Sequence, residues 1–295
     1  MIEAVPRSSD YPADLRLRVG VEFRHQLERP TPAVLQVEPR RDGSHRILEE
    51  ELVLPSGIAN REYLDMYGNV CRRLVMPAGV STIRYLGLIQ VSSDLDPAAP
   101  DAQQLDVDDL PHDALIYTMP SRLIESDLLS NTAWRLFGNT APGWRRVQAI
   151  VDWVHDNIEF AHGSSTSITS ASQVYLESRG VCRDLAQLSV AFCRALNIPA
   201  RYVFGYLPDV GVDDPFNLPM DFYAWFEVYL GDRWWTFDPR NNERRRCRVT
   251  IGRGRDAVDV AMITTFGSAP LTGFRVWAET MEASDRLDNV EESLP

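Results

Sequence analysis

Cys182 is the side chain of this sequence best placed to act as a nucleophile. It follows Gly180 and opens a stretch whose apolar residues recur at three- and four-residue spacing, which predicts an amphipathic helix. Asn197 and Pro199 end that pattern, so Cys182 is expected in the first helical turn. There the unpaired backbone N–H groups and the helix dipole favour the thiolate, which is the nucleophilic form. The alternative is a small buried residue, since free cysteines are among the most buried residue types.

A β-hairpin is predicted to bring a second pair of polar side chains to one face. The stretches 221–230 and 233–238 flank a two-residue Gly-Asp turn and are rich in aromatic and β-branched residues. The register of such a turn places Trp225 opposite Asp238. Tyr223 and Asp238 are then diagonal neighbours on the same face, near enough for their side chains to meet.

The elements that must position these residues follow from the periodicity of the chain. Helical spacing predicts helices over 121–137, 142–158 and 170–178, and the apolar run at 200–206 predicts a strand. Between residues 15 and 95, short stretches with partial period-two alternation and turn signals predict several strands without an intervening helix. That pattern is typical of a sandwich or small barrel.

Three ordered blocks resemble the bacterial transglutaminase-like superfamily. They are GVCRDLAQL at 180–188, LNIPARYV at 196–203 with the following GY, and the hairpin block that ends in WTFDP at 235–239. The resemblance covers residues 115–270. A motif in its expected structural context is more specific than a motif alone.

The resemblance implies a papain-like α+β core with a Cys-His-Asp triad. Cys182 matches the nucleophile and Asp238 matches the acid that orients the imidazole, but Tyr223 stands where the histidine belongs. Trp225 and Tyr206 are candidate substrate-binding residues, although aromatic residues that alternate along a strand are more often part of the core.

Tyr223 impairs the expected chemistry, because a phenol with a pKa of about 10 forms no cation and is a poor proton shuttle at neutral pH. His162, in the loop before the cysteine helix, is the candidate for a relocated base, whereas Gln187 stands where related proteins often have histidine. The other histidines are His25, His45, His112 and His155.

Two functions are therefore open. One is a transglutaminase-like cysteine acyltransferase, peptidase or amidase that acts on protein or peptide amides through a Cys182 thioester and is impaired by Tyr223. The other is an inactive relative that binds peptides at the same place.

We expect an α+β protein with four parts. They are an N-terminal β-sandwich-like domain (1–100), an acidic linker (101–114), the transglutaminase-like core (115–273), and a C-terminal strand with an acidic tail (274–295).

Composition narrows the partners and the compartment. The net charge of −12 disfavours nucleic acid or an anionic membrane as a partner. A peptide or protein substrate is what the resemblance implies. The four cysteines lack metal-ligand spacing, so neither a metal nor another cofactor is expected. With no signal peptide or membrane-spanning run visible, we expect a cytoplasmic protein. The sequence does not indicate the oligomeric state.

Overall fold

The computed structural model describes residues 12–212 and 220–282, together with residue 287. Its strands are β1 Asp14–Leu27, β2 Thr31–Leu35, β3 Arg46–Val53, β4 Asn60–Leu64, β5 Val70–Met76, β6 Gly79–Ser92, β7 Glu159–Phe160, β8 Arg179–Gly180, β9 Ala200–Tyr206, β10 Tyr223–Leu230, β11 Arg233–Phe237, β12 Val249–Gly254, β13 Ile263–Thr265 and β14 Leu271–Met281. Its α-helices are α1 His112–Leu115, α2 Ser130–Phe137, α3 Trp144–Asn157, α4 Ala171–Glu177 and α5 Cys182–Ala195. Short 3-10 turns cover Val107–Asp109 and Ile116–Thr118.

Two antiparallel four-stranded sheets make up the N-terminal region, in the orders β14-β1-β6-β3 and β13-β2-β5-β4. The buried face of β1 carries Leu17, Val19, Val21 and Phe23, as the alternation along that strand predicts. A shared cluster that includes Leu35 of β2 joins the two sheets. The expected α+β fold with an N-terminal antiparallel region is confirmed.

The C-terminal strand returns to the N-terminal sheet. β14 pairs with β1 in antiparallel fashion from Arg16 opposite Met281 to His25 opposite Leu271, with a bulge after Arg24. The two ends of the described chain are thereby joined across one sheet. The predicted acidic tail lies almost entirely outside the described residues, and the division into four parts stays a prediction.

The core sheet has the order β11-β10-β9-β12 and carries the helix that begins at Cys182. α5 and β10 share a hydrophobic cluster that includes Leu188, Phe192 and Phe226. A second cluster joins Phe204 of β9 and Ala186 of α5 to the N-terminal sheet. Because the same helix contributes to both clusters, the position of Cys182 depends on the packing of both regions.

One predicted helix is shorter in the structure, and the predicted linker contacts the core. The helix expected over 121–137 is restricted to α2, because Ser121 and Ile124 exchange backbone hydrogen bonds of 2.9 and 3.3 Å in a turn. The segment expected as a linker is attached to the core, since the Ala102 carbonyl accepts from the Trp144 N–H and the Gln103 carbonyl accepts from the Gly231 N–H. In the part of the chain that the structure describes, no helix has both the length and the apolarity needed to cross a membrane.

Candidate active site

The start of α5 is fixed by Asp184, which stands in the first turn. Its Oδ2 accepts the Val181 N–H at 2.9 Å, and its Oδ1 pairs with Arg183 at 2.8 Å. Asp184 is fully buried, and its carboxylate also accepts a hydrogen bond from the Ser165 hydroxyl. An acidic side chain at a helix N-terminus satisfies unpaired backbone N–H groups. The helix therefore begins at Cys182, as the sequence predicts.

Burial sets the protonation of the Cys182 thiol. Its Sγ lies 4.0 Å from the Phe222 carbonyl oxygen, and the half-buried side chain packs against a cluster that includes Tyr223 and Trp225. Desolvation raises the pKa of Cys182 to about 11, although a backbone hydrogen bond with Ala224 lowers it. Burial therefore acts against the thiolate that the helix N-terminus is expected to favour.

The hairpin of β10 and β11 brings Tyr223 to Asp238. The strands pair from Leu230 opposite Arg233 to Phe226 opposite Phe237, which is the register that the two-residue turn predicts. The Tyr223 hydroxyl donates to Asp238 Oδ1 over 3.3 Å. The phenol is thus bonded to the acid and belongs to the cluster against which the thiol packs.

Tyr223 is 8% exposed, and burial raises the pKa of its phenol well above the ordinary value. The nearby carboxylate of Asp238 shifts the pKa in the same direction. A phenol with a raised pKa stays neutral and keeps its proton in the bond to the acid. It therefore supplies a hydrogen-bond donor at this position but no base that could take the proton of Cys182.

Asp238 has a second, ionic partner that the sequence did not reveal. Arg248 donates from Nη2 to Asp238 Oδ2 at 3.0 Å and from Nε to Asp96 Oδ2 at 2.8 Å. The Asp238 Oδ1 also accepts the backbone N–H groups of Arg240 and Asn241, at 3.1 and 3.2 Å. Both carboxylate oxygens are thus occupied. The nearest pattern in the sequence is the basic cluster at 244–246, which is typical of a solvated surface and does not include Arg248.

Arg240 brings a positive charge to the same place. Its guanidinium carbon lies 4.0 Å from the ring centroid of Phe160 and 5.2 Å from that of Tyr223. The side chain is half-buried. Its charge lowers the pKa of both Cys182 and Tyr223, against the larger effect of burial. The sequence analysis assigned no role to this residue.

The two predicted substrate-binding aromatics are buried. Trp225 is 1% exposed, packs with Val203 and lies 4.8 Å from the guanidinium carbon of Arg248. Tyr206 is fully buried, and its hydroxyl donates to the Val37 carbonyl at 3.1 Å. Both residues therefore shape the layer beneath the site, and a contact with substrate stays a prediction.

His162 lies near the site but outside the thiol contacts. Its exposed ring lies 5.0 Å from that of Phe160, and its charge lowers the pKa of Asp221, which burial raises overall. Gln187 is fully buried and accepts the Ala257 N–H at 3.3 Å. Among residues 12–212 and 220–282, no histidine forms a hydrogen bond with Cys182.

Two of the remaining histidines contact backbone carbonyl groups, one beside the site and one in the N-terminal sheet. His155 Nδ1 lies 3.0 Å from the Arg240 carbonyl oxygen, and His25 Nδ1 lies 2.9 Å from that of Ala269. No group of three or more His, Cys, Asp or Glu side chains in the described residues could hold a metal ion.

Comparison with known proteins relates this site to a family. A family model named the transglutaminase-like superfamily matches residues 131–239, which include Cys182, Tyr223 and Asp238. An uncharacterized protein of Mycobacterium leprae is 32% identical over 119 residues, which are 40% of this chain and 42% of that protein. An uncharacterized protein of Mycobacterium tuberculosis is 34% identical over 116 residues, 36% of this chain and 37% of that protein. The chain spans about two fifths of the length of these curated relatives.

A solved structure extends the similarity over nearly the whole chain. The crystal structure of a proposed cysteine protease from Cytophaga hutchinsonii matches with a TM-score of 0.82 and 31% sequence identity. The match covers 94% of each chain, so it includes the N-terminal sheets as well as the core.

Proposed function

The chain belongs to the transglutaminase-like superfamily, and on that premise we propose that it binds peptide or protein chains at Cys182 without cleaving or transferring their amides. The observation that carries the proposal is the bond of the Tyr223 hydroxyl to Asp238, at the position where the resemblance implies an imidazole. Loss of the base in a comparable triad lowers the rate by several orders of magnitude.

The chemistry of amide cleavage explains this choice. A thiolate must attack the carbonyl carbon, and the departing amine must receive a proton. An imidazole does both because it accepts the thiol proton and later donates it. Cys182, with its pKa raised to about 11, keeps its own proton at neutral pH, and the neutral phenol of Tyr223 does not accept it.

A residual acyltransferase, peptidase or amidase acting through a Cys182 thioester is the second candidate. Two observations favour it: the thiol stands at the first residue of α5, and the charge of Arg240 lowers its pKa. We further propose a cytoplasmic location, which is supported by four unpaired cysteines.

The experiment uses dimethylated casein as the acyl donor and a dansyl-labelled primary amine as the acceptor, with ammonia and peptide release followed in parallel. We expect the native protein and Cys182→Ala to give the same background rate. We also expect both to bind fluorescently labelled casein with the same affinity by anisotropy. Turnover by the native protein that disappears in Cys182→Ala would replace this proposal with the acyltransferase, peptidase or amidase.

A further inference from the structure

Arg240 differs from the other arginines around Cys182 in having no ionic partner among residues 12–212 and 220–282. Arg183 pairs with Asp184, and Arg248 pairs with Asp96 and Asp238. The guanidinium of Arg240 instead lies over the faces of two aromatic rings, and its charge also lowers the pKa of Asp221 without forming an ion pair with it. A guanidinium held on aromatic faces keeps its N–H groups at the edge of its plane available for an incoming acceptor.

The backbone of Arg240 is fixed where its side chain can reach the thiol environment. Its N–H donates to Asp238 Oδ1 at 3.1 Å, and its carbonyl accepts from His155 if that ring nitrogen carries the proton. The ring of Tyr223 lies beneath the guanidinium and belongs to the cluster against which Cys182 packs. The cation is thus held near enough to the sulfur for its charge to lower the pKa of Cys182, and it is only half-buried, so a ligand at the sulfur can reach it.

We propose that Arg240 is the specificity-determining residue of this site and binds a carboxylate of the peptide or protein chain presented to Cys182. This inference rests on the proposed function, because it names the substrate class for the same site. The planar fork of a guanidinium matches a carboxylate by two parallel N–H···O bonds. The occupant is therefore an acidic chain that carries the carboxylate on an Asp or Glu side chain or at its C-terminus.

A pair of alkylating reagents tests this inference without any turnover. Iodoacetate carries a carboxylate and iodoacetamide does not, while both react with the same thiolate. The ratio of their rates at Cys182 therefore cancels any change in the fraction of thiolate. We expect the ratio of iodoacetate to iodoacetamide rates to fall by about threefold to tenfold in Arg240→Gln, because a nearby unit charge attracts the anionic reagent. We expect this fall in the ratio to become smaller with added salt, because salt screens the charge of the guanidinium.

The matched control is Arg233→Gln. Arg233 also stacks on an indole, with its guanidinium carbon 4.5 Å from the Trp235 ring centroid, but it lies at the turn of the β10–β11 hairpin, opposite Leu230. We expect Arg233→Gln to keep the native ratio of iodoacetate to iodoacetamide rates. We expect Arg240→Lys to restore part of the ratio that Arg240→Gln loses. An unchanged ratio in a folded Arg240→Gln protein would overturn the inference, as would an equal fall in Arg233→Gln.

Three labelled peptides then separate the sources of the carboxylate. One carries a single Glu and an amidated C-terminus, the second carries Gln and a free C-terminus, and the third carries Gln and an amidated C-terminus. We expect one of the first two to bind the native protein at least about fivefold more tightly than the third, and to lose that advantage in Arg240→Gln. Equal affinities for all three peptides would overturn the substrate class. If no peptide binds while the alkylation ratio still depends on Arg240, the proposed function fails and the anion preference stands.

Discussion

Tyr223→His is the substitution that most sharply tests how the site sets the reactivity of Cys182. In the native protein the phenol occupies the contact with Asp238 Oδ1, and the pKa of Cys182 is about 11. At pH 7.5 about three thiols in ten thousand are then ionised. An imidazole at this position would give the thiolate a cationic partner and would leave a carboxylate oxygen to orient it.

The expected gain follows from two opposing effects. A neighbouring opposite charge lowers a pKa by about one to three units, and a shift of two units increases the thiolate fraction about a hundredfold. The less basic thiolate is also less nucleophilic, by about sixfold to tenfold for two units. We therefore expect iodoacetamide to alkylate Cys182 about tenfold faster at pH 7.5 in Tyr223→His, with slow amide turnover appearing alongside.

Two variants make the comparison specific. Tyr223→Phe removes the hydroxyl without adding a base, so we expect its alkylation rate to stay within about twofold of the native rate. Adding Arg240→Gln to Tyr223→His removes a cation that disfavours the imidazolium but also lowers the pKa of Cys182. Because these two effects oppose each other, we expect a smaller change in rate than Tyr223→His itself produces. A folded Tyr223→His protein whose alkylation rate and pH midpoint match those of the native protein would refute the reasoning.

The other predictions concern the stability of the surrounding structure. Arg248→Met leaves the buried carboxylate of Asp238 without its cation. Urea denaturation should therefore show that the free energy of unfolding falls by about 3–5 kcal/mol. An unchanged midpoint would mean that the ion pair does not stabilise the fold. Gly205→Ala places a Cβ 2.1 Å from the Val249 carbonyl oxygen. We therefore expect thermal unfolding to show that the free energy of unfolding falls by about 1–3 kcal/mol. An unchanged stability would mean that β12 can shift to make room for the added methyl group. Between pH ~9 and ~11, the free energy of unfolding of Cys182→Ser should rise by about 1–2 kcal/mol relative to that of the native protein. The folded thiol, with its pKa raised to about 11, keeps a proton that the unfolded chain releases, and a constant difference across this pH range would contradict the raised pKa.

Local patterns predicted the elements that carry the site. The start of α5 follows from Gly180 and the apolar spacing after Cys182, and the hairpin register follows from a turn that permits one alignment of its strands. These features are local because each depends on residues within about 20 positions. The meeting of Tyr223 and Asp238 could therefore be derived without the rest of the fold.

Long-range features could not be derived in this way. Arg248 reaches Asp96 across 152 positions of sequence, and nothing in the residues around either one indicates the other. The pairing of β1 with β14 likewise joins opposite ends of the chain. The sign of the pKa shift of Cys182 depends on how much side-chain packing surrounds the sulfur, which a helix pattern does not specify.

Titration of the Cys182 thiol in the native protein tests the central claim most directly. The rate of iodoacetamide alkylation at this residue, measured against pH and compared with the ultraviolet absorbance of the thiolate, gives the pKa. We expect a midpoint near the value of about 11 set by burial, with no plateau near neutral pH. A midpoint between about 6 and 8 would show an activated thiolate and would contradict the claim that Tyr223 leaves Cys182 without a base.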